Sequence, residues 1–572
     1  MWPAVDDDAR PLPSPEDRRR PVIAGPPQSM RARVGSLLRR PWMLTALLCA
    51  AALALPATGT DAAAQEFRTW LWVRHGPVLW QNLWYGGHSV VGYSVLFPPL
   101  AAVLGTRVAG AVATVWAAAA GGAAFVTFGR SFGGSFGGAR AATAAGYWFA
   151  FACVGMFVQG QYPFALGVAL AITALLAAGR DRPVSAGALA LAASAASPLA
   201  GAFLLLFASA WWAQAGLRRV APLGCAVGGV ALGWWAGGGG WFPFPGVSLL
   251  SVLIACGGGL LLVWWEGTAV RAALLGYAAC AVVLFALPNA VGGNAARLGA
   301  LAGGPLAVHL LGRRGRWRTV LVVALPLAVW TGWPVGSALA AGVGDPSGGA
   351  AYYAGLQQFL STQDPARGRL EIPPLRRHWE SYFVATRFPL ARGWERQIDL
   401  GDDAVLYRPG LTGDELHAWT LDAGVRLIAL PDAPLDPWAV REAALLAAGQ
   451  PWLVPVWHDA HWQVWEVADA VGLVTGPARV VRLGVDSVDL DMTAAGQALV
   501  RLRWGPFWRV TAGSACLAEG ANGWLVVGAT APGPVTVSAD ALPGTGPPAV
   551  SECPATVWPS DVRPKERPGL PR

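Results

Sequence analysis

The sequence predicts a polytopic α-helical membrane protein of about eleven transmembrane helices, followed by a C-terminal extracytoplasmic region of α/β and then β-sandwich character. Three observations predict it. Of 572 residues, 54% are hydrophobic and only 13% are charged. Counting glycine and leaving out tyrosine puts the apolar share at roughly 65%, against about 45–50% in soluble domains. Mean hydropathy is +0.43. Finally, apolar runs approaching the ~20 residues that cross a bilayer recur up to residue 341 and then stop. This balance excludes a soluble globular protein of this size and a disordered chain alike.

Residues 1–40, rich in Pro, Arg and Asp, read as a disordered cytoplasmic tail. Run 41–58 follows arginines and ends near small residues, as a signal-peptide core does. The many further runs favour a retained first helix instead. Those runs are 107–129, 141–158, 163–179, 183–197, 199–215, 219–236, 246–265, 270–287, 298–312 and 318–341, so the membrane core covers 41–341. With the N-terminus inside, Arg130 and Arg140, Arg180 and Arg182, Arg218 and Arg219, and the group Arg313, Arg314, Arg316 and Arg318 all fall in inside loops. That agreement requires 91–105, with Pro98 and Pro99 in its middle, to lie at the surface or re-enter rather than cross. The net charge of +8 is then a topology signal, and no nucleic-acid partner is implied. The same parity places 59–93, 160–162, the Ser197–Pro198 turn, 237–245, 288–297 and everything after 342 outside a cell membrane.

Beyond 342, charge, proline and strand-like alternation return. Residues 342–470 read as an α/β region, with helices at 352–360 and 437–448 and strands at 425–430 and 461–467. Short apolar runs between Gly/Pro turns make 471–545 a β-sandwich. Residues 546–572 form a Pro-rich tail. Cys516 and Cys553 lie in this polar part, and an oxidising compartment would pair them as a disulfide. Cys49, Cys153, Cys225, Cys256 and Cys280 lie in apolar runs and show no metal spacing.

The most unusual stretch is 61–88. An acid, Asp61, stands just past the first helix. A short amphipathic segment and Trp80-Gln-Asn-Leu-Trp-Tyr-Gly-Gly-His88 follow. Interleaved aromatics fit an interfacial belt. A carboxylate at the membrane face is also placed to act as a general base towards a hydroxyl. The second stretch is Pro288-Asn-Ala-Val-Gly-Gly-Asn294-Ala-Ala-Arg297. An arginine opening an apolar helix usually snorkels. Beside Asn294 and a Gly-rich turn it can instead fork onto a lipid phosphate.

Asp61 with Phe97-Pro-Pro-Leu100 resembles the GT-C superfamily of membrane glycosyltransferases, which carry an acid in the first extracytoplasmic loop and a Pro-Pro-Leu motif soon after. The resemblance implies a GT-C-like core and transfer of a sugar from a polyprenyl-phosphate lipid donor. The acceptor would be a cell-envelope glycan or lipid at the outer membrane face. Asp61 would be catalytic, Arg297 and Asn294 would hold the donor, and Asn82, Tyr85, His88, Gln161 and Tyr162 would contact sugar hydroxyls. The segments Trp84–His88, Gly293–Leu298 and Ala391–Gln397 also resemble a group of actinobacterial multi-pass proteins. One departure stands out. The later outer loop that often carries a second acid in these enzymes is Gly160-Gln161-Tyr162 here. No cofactor is therefore defined, since a divalent metal would want that second carboxylate. A transporter or lipid flippase is an alternative, although no apolar run carries a carboxylate near its middle. A noncatalytic envelope assembly protein is another.

Overall fold

The computed structural model describes residues 40–56, 59–131, 136–236 and 240–539. The expected N-terminal tail up to residue 39, the Pro-rich tail and Cys553 lie outside them. Every apolar run folds as helix. In chain order, with short helical turns between some of them, the helices up to residue 342 are α1 (Pro41–Leu53), α2 (Ala62–His75), α3 (Phe97–Leu104), α4 (Thr106–Ser131), α5 (Phe136–Val158), α6 (Tyr162–Gly179), α7 (Pro183–Ala196), α8 (Pro198–Ala215), α9 (Ala226–Ala236), α10 (Gly246–Val263), α11 (Thr268–Ala286), α12 (Arg297–Gly312) and α13 (Trp317–Gly342). Among the described residues, seven helical segments are long and apolar enough to cross a membrane: Thr106–Phe128, Gly138–Val158, Tyr162–Gly179, Pro198–Ala215, Gly246–Glu266, Thr268–Ala286 and Trp317–Gly342. Run 91–105 yields only α3, eight residues with prolines in its first turn, far short of a span. Prolines open α1, α6, α7 and α8 as well, at the one helical turn whose N–H groups need no internal partner.

Small residues let these helices touch backbone to backbone, the packing mode available where lipid and side chain are equally apolar. A methyl group added at Gly229 would lie 2.2 Å from Ser194 Oγ, and one at Gly299 would lie 2.1 Å from the Trp330 ring. The buried core of α4 to α8 is accordingly rich in alanine.

In the aromatic loop β1 (Trp80–Gln81) pairs antiparallel with β2 (His88–Ser89), and after α13 the chain builds larger sheets. The first holds β3 (Arg369–Glu371), β4 (Val425–Pro431), β5 (Leu453–His458) and β6 (Trp462–Val467) in the order β3-β4-β6-β5, with only the β3–β4 pair parallel. Helices Ala354–Leu360, Arg396–Asp402, Gly413–Asp422 and Val440–Ala447 accompany it. Two four-stranded antiparallel sheets follow and share one core. One is β12-β13-β10-β7, the other β11-β14-β9-β8. These strands are β7 (Val474–Thr475), β8 (Ala478–Leu483), β9 (Ser487–Met492), β10 (Gly496–Arg503), β11 (Trp508–Ala512), β12 (Cys516–Glu519), β13 (Trp524–Ala529) and β14 (Gly533–Ala539). Alternate residues such as Val488, Leu490, Val535 and Val537 point into that core. Cys516 is disulfide-bonded, and the five cysteines of the apolar helices are free thiols.

The aromatic loop does not behave as an interfacial belt. Trp80 is 5% exposed and belongs to the sandwich core, edge-on to Trp508 at 5.7 Å. Trp84 is fully buried, stacked on Phe67 of α2 at 4.0 Å, and its Nε1 donates to Ser381 O. An indole that can satisfy its N–H gains more from full burial than from a wet surface. The loop is a plug that joins the helical core to both sheet units.

Candidate functional site

Helix α2 sets the first part of the site. Its apolar face, with Ala63, Ala64, Phe67 and Leu71, packs into the core shared with Trp84 and β4. The other face carries Asp61, Gln65 and Arg68 at helical spacing of four and three residues, so their side chains stack on one side. Asp61 occupies the N-cap position but makes no capping hydrogen bond. Its backbone N–H is held by Gln159 O at 3.2 Å. The contact needs Gly160, whose φ is +78°, and a Cβ there would sit 2.4 Å from Ala62 N.

Arg297 arrives from the other side as the first residue of α12. The turn before it is braced by Asn289, whose Oδ1 accepts from Val291 N and Gly292 N at 3.0 and 2.8 Å. Tyr277 pins the helix start, its hydroxyl donating to Ala295 O at 2.8 Å and accepting from Gly299 N at 3.1 Å. The guanidinium then reaches Asp61: Nη2 lies 3.6 Å from Oδ2, with the side chains 26% and 20% exposed. It also lies over the Phe164 ring, 5.7 Å from its centroid. Residues 236 positions apart thus form an ion pair open to the surface, not a buried structural bridge. Opposite charges with nothing between them close onto each other.

Behind the pair lie residues that the sequence reading did not single out. Tyr93 OH accepts from Gln65 Nε2 at 3.3 Å, and the Arg68 guanidinium sits over its ring at 4.0 Å. Burial, with Asp61 nearby, pushes the Tyr93 phenol above its ordinary pKa. Arg68, 4% exposed, pairs with Glu395. Glu395 brings a second carboxylate to the surroundings of Tyr93. It comes from the Ala391–Gln397 segment, more than 300 residues along the chain.

The expected sugar contacts divide. Asn82 is fully buried; its Nδ2 donates to Gly484 O and Ser487 O at 3.1 and 3.2 Å, and its Oδ1 accepts from Trp80 Nε1. Tyr85 is 2% exposed and its hydroxyl accepts from Glu395 N at 2.8 Å. Tyr162 is wedged between Phe97 and Phe157 and hydrogen-bonds the Arg107 side chain. Gln161 donates to Gln159 Oε1 at 3.0 Å. Asn82 and Tyr85 thus tie the loop to the C-terminal sheets, Tyr162 packs within the helical core, and Gln161 contacts its neighbour Gln159. His88 differs: Nδ1 meets Ser89 O at 2.9 Å, while the buried Nε2 has no partner. Burial pushes its pKa down, opposed by Glu395. Asn294 stands one turn before Arg297, with its N–H given to Val291 O. Among the described residues no cluster of three or more His, Cys, Asp or Glu is arranged to hold a metal ion.

Helices and composition together define a multi-pass α-helical membrane protein with a sheet-rich C-terminal region. No family model and no curated protein sequence matches the chain. Among solved structures, it is similar to the single-particle cryo-EM structure of arabinofuranosyltransferase AftD from Mycobacteria, at 16% identity and a TM-score of 0.45. The match covers 80% of this chain and 41% of that one, so the chain spans about two fifths of that enzyme's length.

Proposed function

We propose that this protein is a GT-C-like glycosyltransferase that moves a sugar from a polyprenyl-phosphate donor to a cell-envelope acceptor at the outer membrane face. The observation that carries the reading is the Asp61–Arg297 pair. One base and one cation, partly exposed, meet at the ends of two membrane-core elements and have no capping or core role. In the proposed step the donor phosphate takes the guanidinium, which forks onto two of its oxygens. Asp61, released from Arg297, accepts the proton of the acceptor hydroxyl. The acceptor oxygen bonds the anomeric carbon as the bond from that carbon to the phosphate oxygen breaks. The lipid phosphate leaves with the bonding electrons, and Arg297 stabilises the charge that develops on it. Tyr93 and Gln65 border the site.

Arg297→Lys tests the donor half. An ammonium keeps the charge but loses the fork. The donor KM should rise on the order of tenfold, with kcat changing much less. An unchanged KM would remove Arg297 from phosphate binding.

The reading also needs the N-terminus inside and residues after 342 outside. A cysteine at Asp402, which is exposed, should react with a membrane-impermeant maleimide in intact cells, in a background lacking the exposed Cys225 and Cys280. Labelling only after lysis would reverse the orientation and with it the outer-face site.

A further inference from the structure

We infer that the cleft between the two C-terminal sheet systems is a binding site for an acidic saccharide, read through its carboxylate or phosphate group. The cleft is an open groove of about 650 Å³, within the ~300–1,000 Å³ of small-molecule sites. It lies between β5 and β6 on one side and β8 on the other, along the 468–473 linker that joins them. Three guanidinium groups line it, from Arg367, Arg426 and Arg479, against a single carboxylate, that of Glu466. Arg426 Nε donates to Glu466 Oε1 at 2.8 Å, which leaves its buried Nη1 without a partner. Arg479 meets Asp491 Oδ2 through both Nε at 3.0 Å and Nη2 at 2.7 Å, but at 73% exposure the pair is solvent-screened and open to exchange for a ligand oxyanion.

The walls are fixed before any ligand arrives. Arg501 Nη1 donates to Gly472 O at 3.3 Å and Thr475 Oγ1 at 2.8 Å, and its Nε donates to the Leu421 and Asp422 carbonyls. Buried Arg369 donates to Ala423 O at 2.7 Å and to Arg501 O. Both cations use carbonyls and a hydroxyl, not carboxylates, so they brace the linker without cancelling the positive field of the cleft. Among the described residues its lining has no aromatic ring on which a neutral sugar would stack. Forked donors with exposed valines beside them, Val454 and Val471, suit an oxyanion carried on a sugar ring. The inference rests on the transfer reading only for the source of that saccharide, the cell envelope. No residue of the cleft belongs to the Asp61–Arg297 group.

Saturation-transfer NMR on the full-length chain in detergent, at low salt, provides the test, with glucuronate, glucose 1-phosphate and glucose as probes. At least one anionic probe should bind tenfold or more tightly than glucose, and which one wins names the group recognised. The Arg367→Ala/Arg479→Ala double variant, altered at exposed positions, should weaken that binding at least tenfold. Glucose binding as well as the anions, or affinity unchanged in the double variant, would overturn the site. The same binding measured in Asp61→Asn should be unaltered, and its loss there would assign the anion to the membrane-face pair instead. Anion binding that survives in a protein without transfer activity upholds the cleft and refutes the transferase reading alone.

Discussion

Asp61→Asn is expected to lower sugar transfer by about 10²–10⁴-fold, the range a positioned general base supplies. The amide keeps the size and the contact with Thr60, whose hydroxyl lies 3.5 Å from Oδ1, but it cannot take the acceptor proton. The fold should survive. Asp61 makes no capping bond, and a pair 20–26% exposed contributes at most about 1 kcal/mol. Donor binding should hold or tighten, because Arg297 loses the carboxylate that competes with the incoming phosphate. Transfer assayed in membrane fractions, set beside donor affinity and thermal unfolding of the purified chain, separates these effects. Full activity in the variant would move the base elsewhere, with Glu395 the next carboxylate to test.

What the sequence made legible follows the range of the interactions. Helices of the membrane core are written locally, in apolar runs and in prolines at first turns, and they fall where the runs do. The strands around 425–430, a buried apolar run, and 461–467, an alternating one, were equally readable and appear as β4 and β6. Asp61 and Arg297 each stood out as a charge at an apolar boundary, yet nothing local says that they touch. Part of the rest was present but unread. Asp61, Gln65 and Arg68 repeat at helical spacing, which marks one polar face on α2. Glu395 had no such local signal. Its partner Arg68 lies far away in sequence, and only folding shows that Trp84–His88 and Ala391–Gln397 form one joint. There a Cβ at Gly393 would lie 2.3 Å from Trp84, and Glu395 N meets Tyr85 OH. Aromatic residues misled for a related reason. Composition cannot distinguish a tryptophan at a lipid interface from one plugged into a sandwich, since both want an apolar body and one satisfied N–H.

Arg392→Met is expected to destabilise the 342–470 region by about 3–5 kcal/mol, the cost of breaking a buried ion pair on one side. Arg392 is 5% exposed and joins two carboxylates, Glu371 on β3 and Glu442 on the Val440–Ala447 helix, exposed 0% and 1%. Its Nε donates to Glu371 Oε1 at 2.9 Å, and it sits over the Trp419 ring at 5.6 Å. Burial pushes Glu371 well above the ordinary carboxylate range, and the guanidinium is the main force drawing it back. Methionine fills a similar volume and leaves both acids buried with no counter-charge. They must then take up protons or draw in water. The sign of the pH dependence follows from that raised pKa. A buried acid that titrates higher in the folded than in the unfolded chain favours folding most when protonated. The deficit should therefore shrink on going from about pH 7 to about pH 5. Replacing all three at once, Arg392→Met with Glu371→Leu and Glu442→Leu, should recover much of the loss, because no uncompensated charge remains. Thermal unfolding of the full chain followed by tryptophan fluorescence reads both effects. A single variant as stable as wild type would mean that water already reaches the two acids. Because Arg392 lies three residues before Glu395, loosening this cluster should also release the Arg68–Glu395 contact near the Asp61–Arg297 pair. Transfer should then fall more steeply with temperature in the single variant than in the triple one.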